Sequence, residues 1–271
     1  MFSRPGTYPP VGMFTVTHIV SVIMCFVLIA VAVVLTRKMK RETYFRLLKI
    51  LAIVFTCLEL FKIIWSLSMG ETRLNNWLPL YFCSLFIYAL WFTWAKSELR
   101  IFGLSFIALA GIVAGSIFII TPTTSFQSYP IFHFQCLYSM LYHSTMVYTG
   151  IMFYVTKASI VDKKLLVNYI IFCVSFMTLA LVVNSFAGSN LMFVSDPGNI
   201  PLPFLDDIYA FSHALYSILI YIAHVSIGLI VFGIYKLANR KKQTTRAEND
   251  GVGNVLDKLD EDIDEEKKKR I

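Results

Sequence analysis

The chain has 271 residues, of which 57% are apolar and only 15% are charged. An ordinary soluble domain carries about 25% charged residues, because its outer shell needs them. This composition excludes a soluble globular enzyme, a disordered chain and a nucleic-acid-binding domain. It indicates an integral membrane protein, and the formal charge of +7 then reports orientation in the membrane.

Seven apolar segments are long enough to span a bilayer, because a spanning helix needs about 20 mostly apolar residues. The fold expected is therefore all-α, a polytopic bundle of seven transmembrane helices. The fourth segment contains Gly103, Gly111 and Gly115, and small residues let helices approach closely in lipid, so this helix is expected to pack centrally. The segments are residues 14–36, 45–69, 78–95, 101–120, 131–155, 165–185 and 211–237.

Successive loops are alternately rich and poor in lysine and arginine, and this pattern predicts the orientation of the chain in the membrane. Fifteen of these basic residues follow the first, third, fifth and seventh segments, whereas the opposite side has only Arg4 and Arg73. Because positive residues stay in the cytosol, we expect the N-terminus in the lumen or outside and the C-terminus in the cytosol. The domains expected are a short lumenal N-terminus (1–13), a transmembrane domain (14–240) and a charged, mostly disordered cytosolic tail (241–271).

The tail ends with Lys268 and Lys269 four and three positions from the end. This pattern resembles the di-lysine signal by which cytosolic coat machinery returns membrane proteins to the endoplasmic reticulum. The alternative is a chance end to a lysine-rich run. The sequence therefore predicts a multi-pass protein of the endoplasmic reticulum membrane.

Ionisable side chains inside apolar segments are costly in lipid and usually face a partner or a cavity. Glu59 and Lys62 are three residues apart, so they share a helix face and can pair, either as a structural ion pair or as part of a polar cavity. Cys83 lies about 7 Å inside the lumenal edge if its segment is helical. Its thiol is either an inert small hydrophobe or, beside a base, a nucleophile.

Histidines add to this polar set. His133 lies near the lumenal mouth of the fifth segment, and His143 lies deeper in it; each is either a packing residue or a catalyst. The sequence has no tight pair of histidines and no aspartate within a segment, so it gives little support for a metal site. No cofactor is expected. The remaining members of the expected polar interior are Asn184, Asn190, His213 and His224.

Three stretches together resemble the YwaF-like integral membrane family of seven-span proteins, which includes the transmembrane acyltransferase of ether-phospholipid remodelling. They are Leu78-Pro79-Leu80-Tyr81-Phe82-Cys83, the fifth-segment run from Pro130 through His133 to Tyr142-His143-Ser144, and the stretch from Asn184 to Pro197. The likeness covers about residues 10–240.

This resemblance implies an acyl transfer between membrane phospholipids through a thioester at Cys83, assisted by a histidine of the fifth segment. His143 matches that histidine best, and His133 is the alternative. Helical rise creates a difficulty, since a fifth helix that begins at Ile131 places His143 about 18 Å deep against about 7 Å for Cys83. A start nearer Gln135 shrinks the gap.

Two other classes compete with the acyltransferase. A transporter or lipid scramblase has a similar polar interior, but Cys83 would be dispensable in it. A G-protein-coupled receptor shares the seven segments, yet this chain has Trp94-Ala95-Lys96 where such receptors end the third helix with a DRY-type motif. We therefore keep the transporter or scramblase as the alternative function.

Overall fold

The protein is all-helical in a computed structural model that describes residues 2–96, 98–122, 125–198, 202 and 204–240. No β-strand occurs among these residues. A 3₁₀ turn at Leu191–Phe193 accompanies the α-helices. The helices are α1 (Val16–Thr36), α2 (Arg41–Ser68), α3 (Leu74–Trp77), α4 (Leu85–Phe92), α5 (Glu98–Leu109), α6 (Gly111–Ile120), α7 (Phe134–Val155), α8 (Lys163–Ala187), α9 (Phe204–Phe211) and α10 (His213–Arg240).

Three of these helices are long and apolar enough to cross a membrane, namely α1, α8 and α10. The pair α5 and α6, bent by 44° at Ala110, makes a fourth if the two form one span. These counts refer to the described residues and rest on length and composition. The predicted second and fifth segments coincide with α2 and α7. The molecule is therefore a helical, multi-pass membrane protein.

The predicted third segment is not one continuous helix. Residues 78–84, here called the Cys83 segment, are irregular, and α4 covers only Leu85–Phe92. Leu78 caps α3 by donating its N–H to the Leu74 carbonyl, and Pro79 has no N–H with which to continue a helix. The expected depth of about 7 Å for Cys83 assumed helical rise through this segment, and that assumption was wrong.

Helices α6 and α7 approach closely at glycines, as the glycines of the fourth predicted segment indicated. A Cβ on Gly115 would lie 2.8 Å from the His143 carbonyl oxygen, and one on Gly111 would lie 3.1 Å from the Met146 carbonyl oxygen. Gly150 of α7 returns the contact, 2.8 Å from a side-chain carbon of Ile112. The central packing of this segment is thus confirmed, and it fixes the backbone of α7 at His143.

The chain divides into two units, Met1–Leu229 and Ile230–Ile271. In the second unit the described residues, 230–240, are helical, and the Lys236 ammonium lies 5.3 Å from the centre of the Phe232 ring. The predicted tail, 241–271, with Lys268 and Lys269, lies outside the described residues.

Replacing Gly115 with alanine should destabilise the protein by about 1–3 kcal/mol, because the added methyl overlaps the backbone of α7. The measurement is the thermal unfolding midpoint in detergent. Gly233→Ala is the matched control, since no described atom lies within 4 Å of its Cβ position, and alanine favours a helix over glycine. Equal midpoints for the two variants would contradict the close approach at Gly115.

Candidate functional site

A cavity of about 650 Å³ opens between helices α2, α6 and α7 and the Cys83 segment. Polar groups from several of these elements line it, including six that the argument below uses. They are Glu59, Lys62, Cys83, Tyr138, Tyr142 and His143. The cavity therefore brings together residues that are more than 80 positions apart in the sequence.

The cavity reaches deep into the bundle from one end. The C-terminus of α2 and the N-terminus of α7 lie together, because the Phe61 and Phe134 rings are 4.9 Å apart and the Trp65 and His133 rings are 5.3 Å apart. Glu59 is nine residues before the end of α2, and His143 is nine residues after the start of α7. A rise of 1.5 Å per residue places both about 13 Å below that end.

Cys83 is carried to the same region by its irregular segment. The Tyr142 hydroxyl donates a hydrogen bond of 3.0 Å to the Cys83 carbonyl oxygen. Tyr142 is itself buried, with its ring edge-on to Phe55 and Phe86 at 5.1 and 5.6 Å. Because Tyr142 directly precedes His143, this hydrogen bond holds the Cys83 segment against the part of α7 that carries His143.

His143 presents a free acceptor nitrogen. Its Nδ1 lies 2.7 Å from the Ser139 carbonyl oxygen, and a carbonyl only accepts, so Nδ1 carries the proton. The Nε2 atom then holds a lone pair; it is buried and has no hydrogen-bond partner among the described residues. The ring is stacked on Phe118 at 3.7 Å with the two planes 9° apart. These contacts fix both the tautomer and the orientation of the imidazole.

His133, the alternative base, has both ring nitrogens engaged. The Gln135 N–H donates to Nδ1 at 3.2 Å, so Nε2 carries the proton and donates to the Ser3 carbonyl oxygen at 3.1 Å. The ring is fully buried and stacked on Tyr129 at 4.1 Å. His133 thus caps the start of α7 and holds the N-terminal residues, and it offers no free lone pair in this arrangement.

Glu59 and Lys62 form the ion pair that their spacing predicted. Lys62 Nζ contacts Glu59 Oε1, and the Tyr138 hydroxyl donates to Glu59 Oε2 at 2.5 Å. Glu59 is only 6% exposed, so its carboxylate depends on these two partners. The pair is at once structural and part of the cavity wall, so the two readings of this pair are not exclusive.

The other histidines of the expected polar interior are placed differently. His224 lines the cavity, donates from Nδ1 to the Ile220 carbonyl at 2.8 Å, and packs against Phe82 at 4.8 Å. His213 is exposed and stacked on Tyr209 at 4.1 Å. The sequence placed these two on one helix face, and the structure gives them separate surroundings.

Asn184 and Asn190 hold the loop of residues 188–198. The Asn184 side chain accepts from the Leu191 N–H at 2.8 Å and donates to the Leu191 carbonyl at 3.1 Å. Asn190 donates to the Asp196 carboxylate at 2.8 Å. Both asparagines therefore shape the loop by hydrogen bonds to its own backbone and side chains.

This loop contributes two strained residues to the cavity wall. Met192 and Phe193 have φ angles of 56° and 55°, which side chains other than glycine rarely adopt. The Tyr216 hydroxyl lies 2.7 Å from the Phe193 carbonyl, which accepts its hydrogen bond, and so helps to hold the strain. The Phe193 ring in turn packs against Tyr81 at 5.9 Å. The Asn184-to-Pro197 stretch and the Cys83 segment therefore meet at the cavity.

Sequence reasoning missed the tyrosines of α7. Tyr138, Tyr142 and His143 follow one another at spacings of four and one, so they lie near one face of the helix. That spacing could have indicated hydroxyl donors to a buried glutamate on another helix. Tyrosine is common in membrane helices, however, so its presence alone did not single out these residues. Phe118, which orients His143, gave no such signal.

Among the described residues, no group of three or more histidine, cysteine, aspartate and glutamate side chains is placed to hold a metal ion.

The fold and the cavity define an integral membrane protein with a polar site inside a helical bundle. Residues 13–236 match the model of the TMEM164 family, and the chain belongs to that family. The match includes Cys83, His143 and the Asn184-to-Pro197 stretch. No curated protein and no solved structure matches the chain.

Replacing Lys62 with methionine should destabilise the protein by about 3 kcal/mol or more, because it leaves a buried carboxylate without its cation. Adding Glu59→Gln should recover part of the loss. A double-mutant cycle on unfolding in detergent measures the coupling. The control is the exposed pair Lys164 and Glu98, whose coupling should be below about 1 kcal/mol. Equal coupling in both pairs would contradict a special role for burial.

Proposed function

We propose that the protein is a membrane-embedded acyltransferase that moves a fatty acyl chain between phospholipids through a thioester at Cys83. The observation that carries the proposal is the buried lone pair of His143 Nε2 in the wall of the cavity that Cys83 also lines. A thiol needs a base to become a nucleophile, and a neutral imidazole with one free nitrogen is such a base.

The proposed first step transfers an acyl group to the enzyme. His143 Nε2 takes the Cys83 proton, and the thiolate sulfur attacks the carbonyl carbon of a phospholipid ester. The bond from that carbon to the glycerol oxygen breaks, and the imidazolium returns the proton to this oxygen. The products are a lysophospholipid and the Cys83 thioester.

The second step reverses the roles. The hydroxyl of an acceptor lysophospholipid gives its proton to His143 Nε2, and its oxygen attacks the thioester carbon. The carbon–sulfur bond breaks, and the thiolate regains the proton from the imidazolium. Because every atom and proton is returned, the step needs no cofactor.

Tyr142 and the Glu59 group support this chemistry as positioning residues. The Tyr142 hydrogen bond to the Cys83 carbonyl holds the irregular segment beside α7. Tyr138 and Lys62 keep Glu59 paired in the low-dielectric interior. Apolar lining residues, among them Phe82, Phe118 and Met192, suit an acyl chain.

Seven crossings with a lumenal N-terminus complete the proposed arrangement. With this orientation α2 runs toward the lumen and α7 runs back from it, so the cavity opens on the lumenal side. The positive residues that follow α1, α7 and α10 support the orientation. We also propose the endoplasmic reticulum membrane as the location, with Lys268 and Lys269 recognised by coat machinery.

Cys83→Ala should abolish labelling of the purified protein by a phospholipid that carries a tagged acyl chain. A thioester, unlike an oxygen ester, is cleaved by neutral hydroxylamine, so the wild-type label should be hydroxylamine-sensitive. His143→Ala should slow labelling by about 10²–10⁴-fold, because the thiol loses its base. The measurement is the rate of label incorporation in detergent micelles.

Cys57→Ala is the matched control, since Cys57 is exposed on α2 and should keep the full label. Unchanged labelling of Cys83→Ala would contradict the thioester. A greater loss in His133→Ala than in His143→Ala at saturating phospholipid, where weaker lipid binding no longer limits the rate, would reverse the assignment of the base. If Cys83→Ala loses no lipid movement in liposomes while wild type forms no label, a transporter or scramblase replaces the acyltransferase.

Replacing Lys268 and Lys269 with serine should move the protein from the endoplasmic reticulum to the Golgi and the cell surface, because coat machinery binds the lysine pair. Fluorescence microscopy against organelle markers measures the shift. Lys241 and Lys242, replaced together in the same way, serve as the control within the same tail. A wild-type protein already at the cell surface would contradict the retrieval signal.

A further inference from the structure

The N-terminal segment, residues 2–12, is part of the cavity wall. Its backbone N–H groups at Val11 and Gly12 donate to the carbonyls of Tyr129 and Phe126 at 3.0 and 2.8 Å. Near its start, the Ser3 carbonyl accepts from the buried His133 ring. Hydrogen bonds to the connection between α6 and α7 and to the first residues of α7 therefore hold the segment along its length.

An aromatic contact completes this docking. The Phe2 ring lies 5.8 Å from Phe61 of α2 and 5.9 Å from Phe134 of α7. These two helices border the end of the bundle at which the cavity opens. Arg4 and Pro5, which follow Ser3, line the cavity. The segment thus places the Arg4 guanidinium at the rim of the cavity, between the end of α2 and the start of α7.

Arg4 is available to a ligand. Its side chain is exposed, and no ion pair joins it to an acidic residue among the described residues. Lys62, the other cation of the lining, is already paired with Glu59. Asn76 and Ser128, which also line this end of the cavity, supply neutral hydrogen-bond donors.

Other residues of the cavity wall are apolar. Leu78, Phe82, Phe118 and Met192 line the same cavity and offer apolar contacts. A cavity with a cationic rim and an apolar lining fits an amphiphile with an anionic head and a hydrocarbon chain. A guanidinium is well suited to the head, because it binds a phosphate through two parallel hydrogen bonds.

We propose that Arg4 binds the phosphodiester of the lipid substrate and so sets the position of the ester relative to Cys83. His133 is a positioning residue in this scheme, because its bond to Ser3 holds Arg4 at the rim. The proposal rests on the proposed phospholipid acyl transfer. It adds a site for the lipid headgroup, which the proposed chemistry of Cys83 and His143 does not by itself require.

The rim also carries Glu71, whose charge opposes an anion. A headgroup without an ammonium group isolates the contribution of Arg4 from that of Glu71. The probe is therefore a fluorescent lysophosphatidylglycerol, compared with a monoacylglycerol that has the same labelled acyl chain. The two differ by the phosphodiester and its terminal glycerol.

Binding is measured in the Cys83→Ala background, which performs no transfer and reports affinity even if the proposed function fails. Arg4→Ala should weaken lysophosphatidylglycerol binding about tenfold or more and leave monoacylglycerol binding unchanged. Arg4→Lys should retain part of the affinity. The matched control is Arg73→Ala, the other arginine on this side of the bundle, which does not line the cavity and should bind both probes as before.

Three outcomes would overturn the headgroup site. One is equal binding by Arg4→Ala and Arg73→Ala. Another is an equal loss of both probes in Arg4→Ala, which would show that the segment only shapes the cavity. The third is a tenfold loss in Glu71→Gln, since removal of a negative charge should not weaken binding of an anion.

A kinetic readout in the enzyme with intact Cys83 completes the test. Arg4→Ala should raise KM for a phospholipid donor about tenfold, with kcat at saturation within about twofold of wild type, because the lost contact exists before and during the reaction. A fall in kcat with KM unchanged would instead place Arg4 in the chemical step and contradict its role in binding the head.

Discussion

The close packing of α7 against α6 is the constraint on which the site depends. Gly111, Gly115 and Gly150 leave no room for a side chain between the two backbones. Because Gly115 faces the His143 carbonyl, the height and rotation of His143 are set by backbone contact, which is stiffer than contact between side chains. Tyr138 and Tyr142 belong to the same rigid helix, so one packing contact positions three of the polar groups in the cavity.

The polar groups of α7 then determine what the neighbouring elements must supply. A buried carboxylate at Glu59 is tolerable only with Lys62 and Tyr138 as partners. An irregular stretch within an apolar bundle is tolerable only where protein groups satisfy its backbone, as Tyr142 does for the Cys83 carbonyl. The same tyrosine-bearing face of α7 therefore stabilises both the charged pair and the segment that carries the thiol.

Much of the fold followed from hydropathy, and the site followed only in part. The apolar runs located α1, α7 and α8 within a few residues, because a long helix in lipid must satisfy its backbone internally. The same signal read residues 78–84 as helix, since Leu78, Leu80 and Phe82 are apolar in any conformation. Pro79 was the local sign of a break, and hydropathy gives it no weight.

The choice between the two histidines shows where sequence reasoning ends. His133 and His143 are ten residues apart on one segment; depth estimated from a helical Cys83 segment favoured His133, whereas the family resemblance favoured His143. The distinction depends on which ring nitrogens have partners, and those partners are Ser3, far away in sequence, and the backbone carbonyl of Ser139. Such contacts leave no periodic pattern.

The backbone of the Cys83 segment is satisfied partly by its own chain and partly by α7. In a continuous helix the Cys83 carbonyl would accept from the N–H four residues later. With α4 beginning only at Leu85, this carbonyl accepts from the Phe86 N–H at 3.0 Å and also from the Tyr142 hydroxyl at 3.0 Å, and Cys83 lines a cavity that α7 also lines. The strained Met192 and Phe193 close the same region from the other side, since Phe193 packs on Tyr81. Two stretches of non-helical backbone therefore shape the cavity, and protein groups satisfy part of their polar backbone, as its cost in lipid requires.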